Sequence, residues 1–146
     1  MRLSGRSAFI TGAAKGIGLS VAKAFSKEGA TVALADMSGD EAIRQASKIE
    51  AETGNKALGI ECNVADKQSV ENAIEETVEA FGTIDTLACM AATMTARHDV
   101  VDLSEEDWDR TLRVNVTGSF FACKYVIPLM RKAGRGSIIL TASQMG

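Results

Sequence analysis

Cysteine and histidine are scarce in this 146-residue chain, and each scarcity excludes a class of protein. The three cysteines, Cys62, Cys89 and Cys123, are far apart, odd in number and form no C-x-x-C pair. A disulfide framework is therefore not expected, and reduced thiols of this kind are typical of a cytoplasmic protein. Because His98 is the single histidine, a metal site would have to gather scattered ligands, and none is expected.

Long hydrophobic runs and a basic stripe are also absent. No apolar run is long enough to predict a membrane-spanning helix. The apolar run after the basic N-terminus breaks at Thr11–Gly12, too early for the core of a secretory signal peptide. The net charge of −3 argues against a nucleic acid partner. Since the chain has no repeat, low-complexity segment or linker, we expect residues 1–146 to form a single domain.

What the chain does contain is a strict alternation of strand and helix patterns. Runs rich in β-branched residues predict five strands, and helical spacing of apolar residues fills the segments between them. This alternation predicts an α/β fold, a Rossmann-type doubly wound parallel sheet covered by helices on both faces. The predicted strands are Ser7–Thr11, Thr31–Ala35, Ala57–Glu61, Ile84–Ala88 and Ser137–Thr141.

Helix ends are indicated by capping patterns. Ser38 with Glu41 and Ser104 with Asp107 have the spacing of N-terminal caps, and Asp66 also precedes a helical pattern. Glycines at 29, 54 and 82 follow helical patterns, as is typical of helix C-termini. The last helical region is long, extending to about residue 132, and we expect it to bend near residues 116 and 128.

The segment TGAAKGIG, residues 11–18, follows the first strand and opens the first helix. Its glycines could form a simple structural turn or a cradle for a phosphate. In a cradle, Gly12 permits the turn, Gly16 lets the backbone approach a pyrophosphate, and Gly18 allows close packing of the helix. The position between strand and helix favours the cradle.

Asp36 ends the second predicted strand and favours a dinucleotide. A carboxylate there can accept hydrogen bonds from both ribose hydroxyls of an adenosine. A 2′-phosphate would be repelled, at a cost of about 4 kcal/mol for charges about 4 Å apart. Lys15 could attract that phosphate or could pair with Asp36, an exposed pair worth roughly 0–1 kcal/mol. We therefore predict NAD as the cofactor rather than NADP.

With these motifs, the whole chain resembles the short-chain dehydrogenase/reductase family. The resemblance is carried by TGAAKGIG with Asp36, CNVAD after the third strand, NVTGSFFACK in the long helix and GSIILTAS in the fifth strand. These motifs occur in the order and spacing of the family. The resemblance implies an enzyme that interconverts a secondary alcohol and a ketone, similar to 3-oxoacyl-acyl-carrier-protein reductases or to sugar and polyol dehydrogenases.

The resemblance also implies roles for individual residues. The pyrophosphate loop would include Gly12, Gly16, Ile17 and Gly18, and Asp36 would accept from the ribose. Adenine would lie against Asn63 and Val64, although many family members have Asp in place of this Asn.

Two catalytic residues follow from the same resemblance. Asn115 would interrupt the long helix and hold a water of the proton relay, and Ser143 would hydrogen-bond the substrate oxygen. The loop from Thr93 to Val100, which includes Arg97 and His98, is expected near the substrate.

The chain departs from the family pattern in two places. The family usually has N-N-A-G after the fourth strand, whereas this chain has C-M-A-A. Of these residues, Ala91 matches the family pattern. The backbone of Cys89 would still approach the cofactor, since this contact requires no particular side chain. The family's Y-x-x-x-K pair follows the serine, and the single tyrosine, Tyr125, does not match it. We therefore expect a sheet truncated after about the fifth strand and an inactive 146-residue chain.

Two hypotheses remain open from the sequence. The full-length protein would be an NAD-dependent dehydrogenase and, like its relatives, a homodimer or homotetramer. The alternative is a dinucleotide-binding fragment that does not catalyse turnover.

Overall fold

Five parallel strands form one sheet in the computed structural model, which describes residues 1–95 and 99–143. The strands lie in the order β3-β2-β1-β4-β5 within that part of the chain, the doubly wound order expected for a Rossmann-type α/β fold. Their bounds are Ser7–Thr11 (β1), Thr31–Asp36 (β2), Ala57–Glu61 (β3), Thr86–Cys89 (β4) and Ser137–Leu140 (β5). The prediction of β1 and β3 is confirmed residue for residue, while β4 begins two residues later and ends one residue later than predicted.

Helices connect successive strands and cover both faces of the sheet. Their bounds are Gly16–Lys27 (α1), Gly39–Thr53 (α2), Lys67–Phe81 (α3), Glu105–Leu112 (α4) and Gly118–Ala133 (α5). A π-helical turn, Arg113–Thr117, joins α4 to α5. The predicted irregularity near Val116 is this turn, whereas α5 continues through Pro128.

Two of the three predicted N-terminal caps are confirmed. The Asp66 side chain accepts from the backbone N–H groups of Gln68 and Ser69, and Ser104 Oγ accepts from Asp107 N. The cap predicted from Ser38 and Glu41 is wrong, because the Ser38 side chain makes no capping bond. The Glu41 carboxylate binds other side chains instead, as described below.

The core consists of two apolar layers, one on each side of the sheet. Alternate residues of β1 point to opposite faces. Phe9 packs in the layer of α3 and α5, and Ile10 packs in the layer of α1 and α2. Both side chains are fully buried, and each such burial contributes roughly 1.5–3 kcal/mol. The continuous burial of β1 is typical of a central strand in a parallel sheet.

Two strands of the sheet, β2 beside the central strand and β5 at the far side of β4, differ in their burial. β2 is buried at four consecutive positions, whereas β5 is exposed along its whole length and lies at an edge of the sheet. None of the described helices is long and apolar enough to cross a membrane.

Candidate cofactor-binding site

A cavity of about 700 Å³ lies where the carboxyl ends of β1, β2, β3 and β4 meet the following loops. Such an edge is where open parallel sheets bind ligands. Most residues that the sequence predicts for cofactor binding line this cavity, namely Gly12, Lys15, Ile17, Gly18, Asp36, Asn63, Val64 and Ala91. Its described lining does not include Gly16 or Cys89.

Each glycine of the loop is required for a different geometric reason. Gly12 has a φ of +65°, and a Cβ there would lie 2.7 Å from the Ala91 Cα atom. A Cβ on Gly18 would collide with the Gly12 carbonyl group, so this glycine permits close packing of α1 against the loop. Gly16 also has a positive φ, +59°, but a Cβ there would meet nothing within 4 Å. The loop is thus closely packed at Gly12 and Gly18 and open at Gly16.

This arrangement fits a bound anion. Lys15 is the N-cap residue of α1, and its side chain makes no capping bond to the first turn. The N–H groups at a helix N-terminus have no partner within the helix, and they carry the positive end of the helix dipole. An open backbone at Gly16 gives a phosphate access to these groups.

Thr11 stabilises the base of the cavity. The sequence analysis did not predict this residue. Its Oγ1 accepts from the backbone N–H groups of Met90 at 3.1 Å and Ala91 at 3.2 Å. The side chain is buried at the end of β1. In this way Thr11 holds the segment after β4 against Gly12. The available signal was the threonine that precedes the first glycine of the motif.

Asp36 is held in place by two backbone donors. Its Oδ2 accepts from Ala14 N and its Oδ1 accepts from Ser38 N, each at 3.0 Å. Since a carboxylate has about four acceptor positions, further donors can be accommodated on the side of the cavity. Within the described part of the chain, Lys15 forms no ion pair with Asp36, so no salt bridge competes with a ligand for the carboxylate.

Asn63 and Val64 form the wall of the cavity after β3. The Asn63 Oδ1 accepts from Ala65 N at 3.0 Å, and the Asn63 N–H donates to Ser69 Oγ at 2.9 Å. The first bond fixes the orientation of the Asn63 side chain, and the second holds the Asn63 backbone against the start of α3. Val64 is buried and lies against Gly118, where a Cβ would be 2.9 Å from the Val64 Cβ.

The opposite wall was not predicted in detail. It is formed by Arg110 and Val114 together with Met90, Ala92 and Thr93. Arg110 also forms an ion pair with Asp107 at 2.6 Å. No pattern of three or four residues marks this wall, because it arises only when the α4 region folds over the loop after β4.

Cys89 is the last residue of β4 and is buried. Burial raises the pKa of its thiol to about 11, which excludes a substantial thiolate population at neutral pH. In the C-M-A-A segment, which departs from the family pattern, Ala91 and Ala92 line the cavity, whereas Cys89 is not among its described lining residues.

Asn115 lies in the π-helical turn and binds the loop after β4. Its Oδ1 accepts from Thr93 N at 2.8 Å, and its Nδ2 donates to Thr93 O at 3.0 Å. Both the oxygen and the nitrogen of the side-chain amide are thus hydrogen-bonded to the backbone of Thr93. The Asn115 carbonyl oxygen accepts from Ser119 Oγ at 3.2 Å.

Ser143 follows β5 at the same edge of the sheet and is exposed. It is not among the described residues that line the cavity. Arg97 and His98, predicted near the substrate, lie outside the described residues.

The parallel sheet, its strand order and its glycine-rich first turn define a Rossmann-type α/β protein. Residues 6–146 match the family model described as short chain dehydrogenase, and the chain belongs to this family. Membership implies a nicotinamide dinucleotide as cofactor, without deciding between NAD and NADP.

Curated relatives agree with this family. The chain is 38% identical to D-threitol dehydrogenase of Mycolicibacterium smegmatis, over 98% of this chain and 54% of that protein. It is also 38% identical to sorbitol dehydrogenase of Cereibacter sphaeroides, over 100% of this chain and 56% of that protein. Its identity to the 3-oxoacyl-acyl-carrier-protein reductase of Thermotoga maritima is 36%, over 100% of this chain and 58% of that protein. The chain therefore spans just over half the length of these relatives.

Proposed function

We propose that the protein is an NAD(H)-dependent oxidoreductase that interconverts a secondary alcohol and a ketone. Its substrates would be like those of 3-oxoacyl-acyl-carrier-protein reductases or of sugar and polyol dehydrogenases. The observation that carries this proposal is a single cavity at one edge of the sheet. It is lined by the glycine loop, Asp36, Asn63 and Val64.

The cofactor would lie along this edge in a defined direction. Its pyrophosphate would contact the open backbone at Gly16 and the N-terminus of α1, with Ile17 and Lys15 beside it. The ribose hydroxyls of the adenosine would donate to Asp36, and adenine would lie against Asn63 and Val64, with Ala91 also beside the cofactor. Cys89, predicted to approach the cofactor through its backbone, is not among the described lining residues of the cavity and would support this segment from the core.

NAD rather than NADP is supported by the environment of Asp36. Its two partners are neutral N–H groups, and it forms no ion pair with an arginine or lysine of the described residues. A 2′-phosphate about 4 Å away would be opposed by about 4 kcal/mol. Lys15 is exposed and contributes less, since exposed pairs are worth roughly 0–1 kcal/mol.

When bound, the nicotinamide ring supplies or accepts the hydride. Ser143 would donate its hydroxyl hydrogen bond to the substrate oxygen. Because both ends of the Asn115 amide bind Thr93, we assign any contact of Asn115 with a relay water to its backbone carbonyl. That carbonyl accepts one hydrogen bond from Ser119 and has a second lone pair.

The alternative is that this chain binds a dinucleotide without turnover. Its support is that the single tyrosine, Tyr125, donates to Glu71 on α3 and is not among the described residues of the cavity. We further propose that the protein is cytoplasmic, that residues 1–146 fold as one dinucleotide-binding domain, and that the protein assembles as a homodimer or homotetramer.

Binding and turnover experiments separate the two functions. NADH titrated into this chain and followed by calorimetry is expected to bind, and it should bind more tightly than NADPH. Failure to bind either dinucleotide would contradict both functions. If NADH binds, oxidation of NADH in the presence of a ketone would favour the enzyme, and the Ser143→Ala variant should then lose most of its kcat.

A further inference from the structure

A second cavity adjoins the proposed ribose site. It has a volume of about 460 Å³ and shares Met37 and Ser38 with the cavity described above. Ser38 N donates to Asp36 Oδ1, so the carboxylate lies at the boundary between the two cavities. A phosphate on the 2′-hydroxyl of a ribose bound to Asp36 would extend toward this second cavity.

The walls of the second cavity are strongly acidic. Asp40, Glu41 and Glu61 line it, and Arg44 is the one basic residue among the described lining. Glu61 lies in register with Asp36 on the neighbouring strand. Gly39 allows α2 to begin close to it, since a Cβ at Gly39 would be 2.7 Å from the Glu61 Cβ. The negative charge of Asp36 is thus extended by its neighbours.

Arg44 is held by Glu41 in this structure. Its Nε donates to Glu41 Oε2 at 2.8 Å, and its NH2 group donates to Glu41 Oε1 at 2.6 Å. The two residues thus form a bidentate ion pair on the surface of α2. Gln45 Nε2 also donates to Glu41 Oε1 at 2.6 Å. The guanidinium is therefore oriented toward Glu41, whose carboxylate offsets part of its charge.

We propose that Glu41 is a specificity-determining residue that excludes a 2′-phosphate by holding Arg44. This inference rests on the proposed function and deepens it, because it extends the selection against NADP beyond Asp36. Without Glu41, Arg44 would be a flexible cation beside the position of the 2′-phosphate, in addition to the exposed Lys15. The protein would then select against NADP by an ion pair as well as by direct repulsion.

A double-mutant cycle tests this role by calorimetric titration of NADH and NADPH. We expect Glu41→Gln to tighten NADPH binding about three- to tenfold, as exposed charge pairs allow, while the affinity for NADH changes less than about twofold. The gain should vanish in the Glu41→Gln/Arg44→Gln double variant and should shrink at high salt. Repeating the cycle in an Asp36→Ala background keeps NADPH binding in a measurable range.

The matched control is Glu28→Gln. Glu28 forms an ion pair with Arg2 at 3.2 Å and lies next to the first residues of the chain, outside both described cavity linings. This substitution also removes one negative charge and releases one arginine, but it should leave the affinity for NADPH unchanged. An equal gain in this variant, or a gain that persists in the double variant, would overturn the role of the ion pair.

The failure of this inference can be told apart from that of the proposed function. If NADH binds to the unmodified chain and Glu41→Gln leaves NADPH affinity unchanged in both backgrounds, only the role of Glu41 is wrong. If NADH does not bind at all, the proposed function is wrong and the inference is overturned with it.

Discussion

Two aspartates at opposite edges of the same sheet are held in different ways. Asp36, at the carboxyl edge, accepts from two backbone N–H groups and lines a cavity. Asp85, at the amino edge, is 3% exposed and accepts from Ser7 N while pairing with Arg6 and Arg135. One carboxylate is left with free acceptor positions beside open space, and the other is enclosed by cations.

The two carboxylates have different roles because their partners differ. A charge that is buried and paired on several sides serves to hold chain segments together, because any missing partner leaves an uncompensated charge. Asp85 joins β1, through Ser7, to the segment before β5, through Arg135 and the bond from Ser137 N to Asp85 O. A charge that is positioned only by neutral N–H groups stays available to a ligand.

The largest expected effect is on stability at the amino edge. Replacing Asp85 with alanine removes the partner of two arginines and of Ser7 N, and should lower the free energy of unfolding by about 2–3 kcal/mol. The arginines are about half exposed and can turn toward water, which limits the loss. Urea denaturation measures it, and the folded fraction should bind NADH with unchanged affinity.

An exposed aspartate provides the control for this change. Asp109→Ala on α4 should alter the free energy of unfolding by less than about 0.5 kcal/mol. If Asp85→Ala were equally mild, the ion pairs at the amino edge would contribute nothing and the contrast between the two edges would be lost.

Thr11 has a structural role although it lies at the carboxyl edge. Thr11→Val keeps the shape of the side chain and leaves the N–H groups of Met90 and Ala91 without their acceptor, which should cost about 2 kcal/mol of stability. NADH affinity should also fall, since these residues line the cavity. Thr11→Ser retains the hydroxyl and should restore most of both quantities, whereas equal losses in the two variants would contradict the role of the hydroxyl.

The sequence predicted local features and missed those that join distant segments. The continuous apolar run of β1 and the cap at Asp66 depend on adjacent residues, and both are confirmed. The bond from Met90 N to Thr11 Oγ1 spans 79 positions, and the Asp85 pair with Arg135 spans 50, so neither leaves a local pattern. At Asn115, the composition indicated an irregular helix, but the π-helical turn and the bonds to Thr93 depend on tertiary packing.

Replacing Asp36 should affect cofactor affinity more than stability, the opposite of what we expect for Asp85. Asp36→Ala should weaken NADH binding about tenfold or more, since charge-assisted hydrogen bonds to the ribose would be lost. The cost in stability should be about 1–2 kcal/mol, because the exposed Ser38 N–H can be hydrated whereas the N–H of the buried Ala14 loses its acceptor. Asp36→Asn serves as the isosteric comparison, and calorimetry with NADH and NADPH should show reduced discrimination in both variants. Unchanged discrimination would mean that Asp36 does not contact the ribose.

The smallest expected effect is the acid dependence of the amino edge. Burial acts to raise the pKa of Asp85, but the hydrogen bond from Arg135, the Ser7 N–H and the two guanidinium groups outweigh it and hold the pKa below the ordinary value of 3.8. A lowered pKa means that the unfolded chain binds the proton more readily, so the contribution of Asp85 is complete well above pH 3.8 and declines as the pH falls through the folded pKa. The difference in unfolding free energy between the unmodified protein and Asp85→Ala should therefore narrow toward acid pH. Urea denaturation of both proteins from pH 7 downward measures this difference, and a gap that stayed constant would show that the charge of Asp85 is not what stabilises the amino edge.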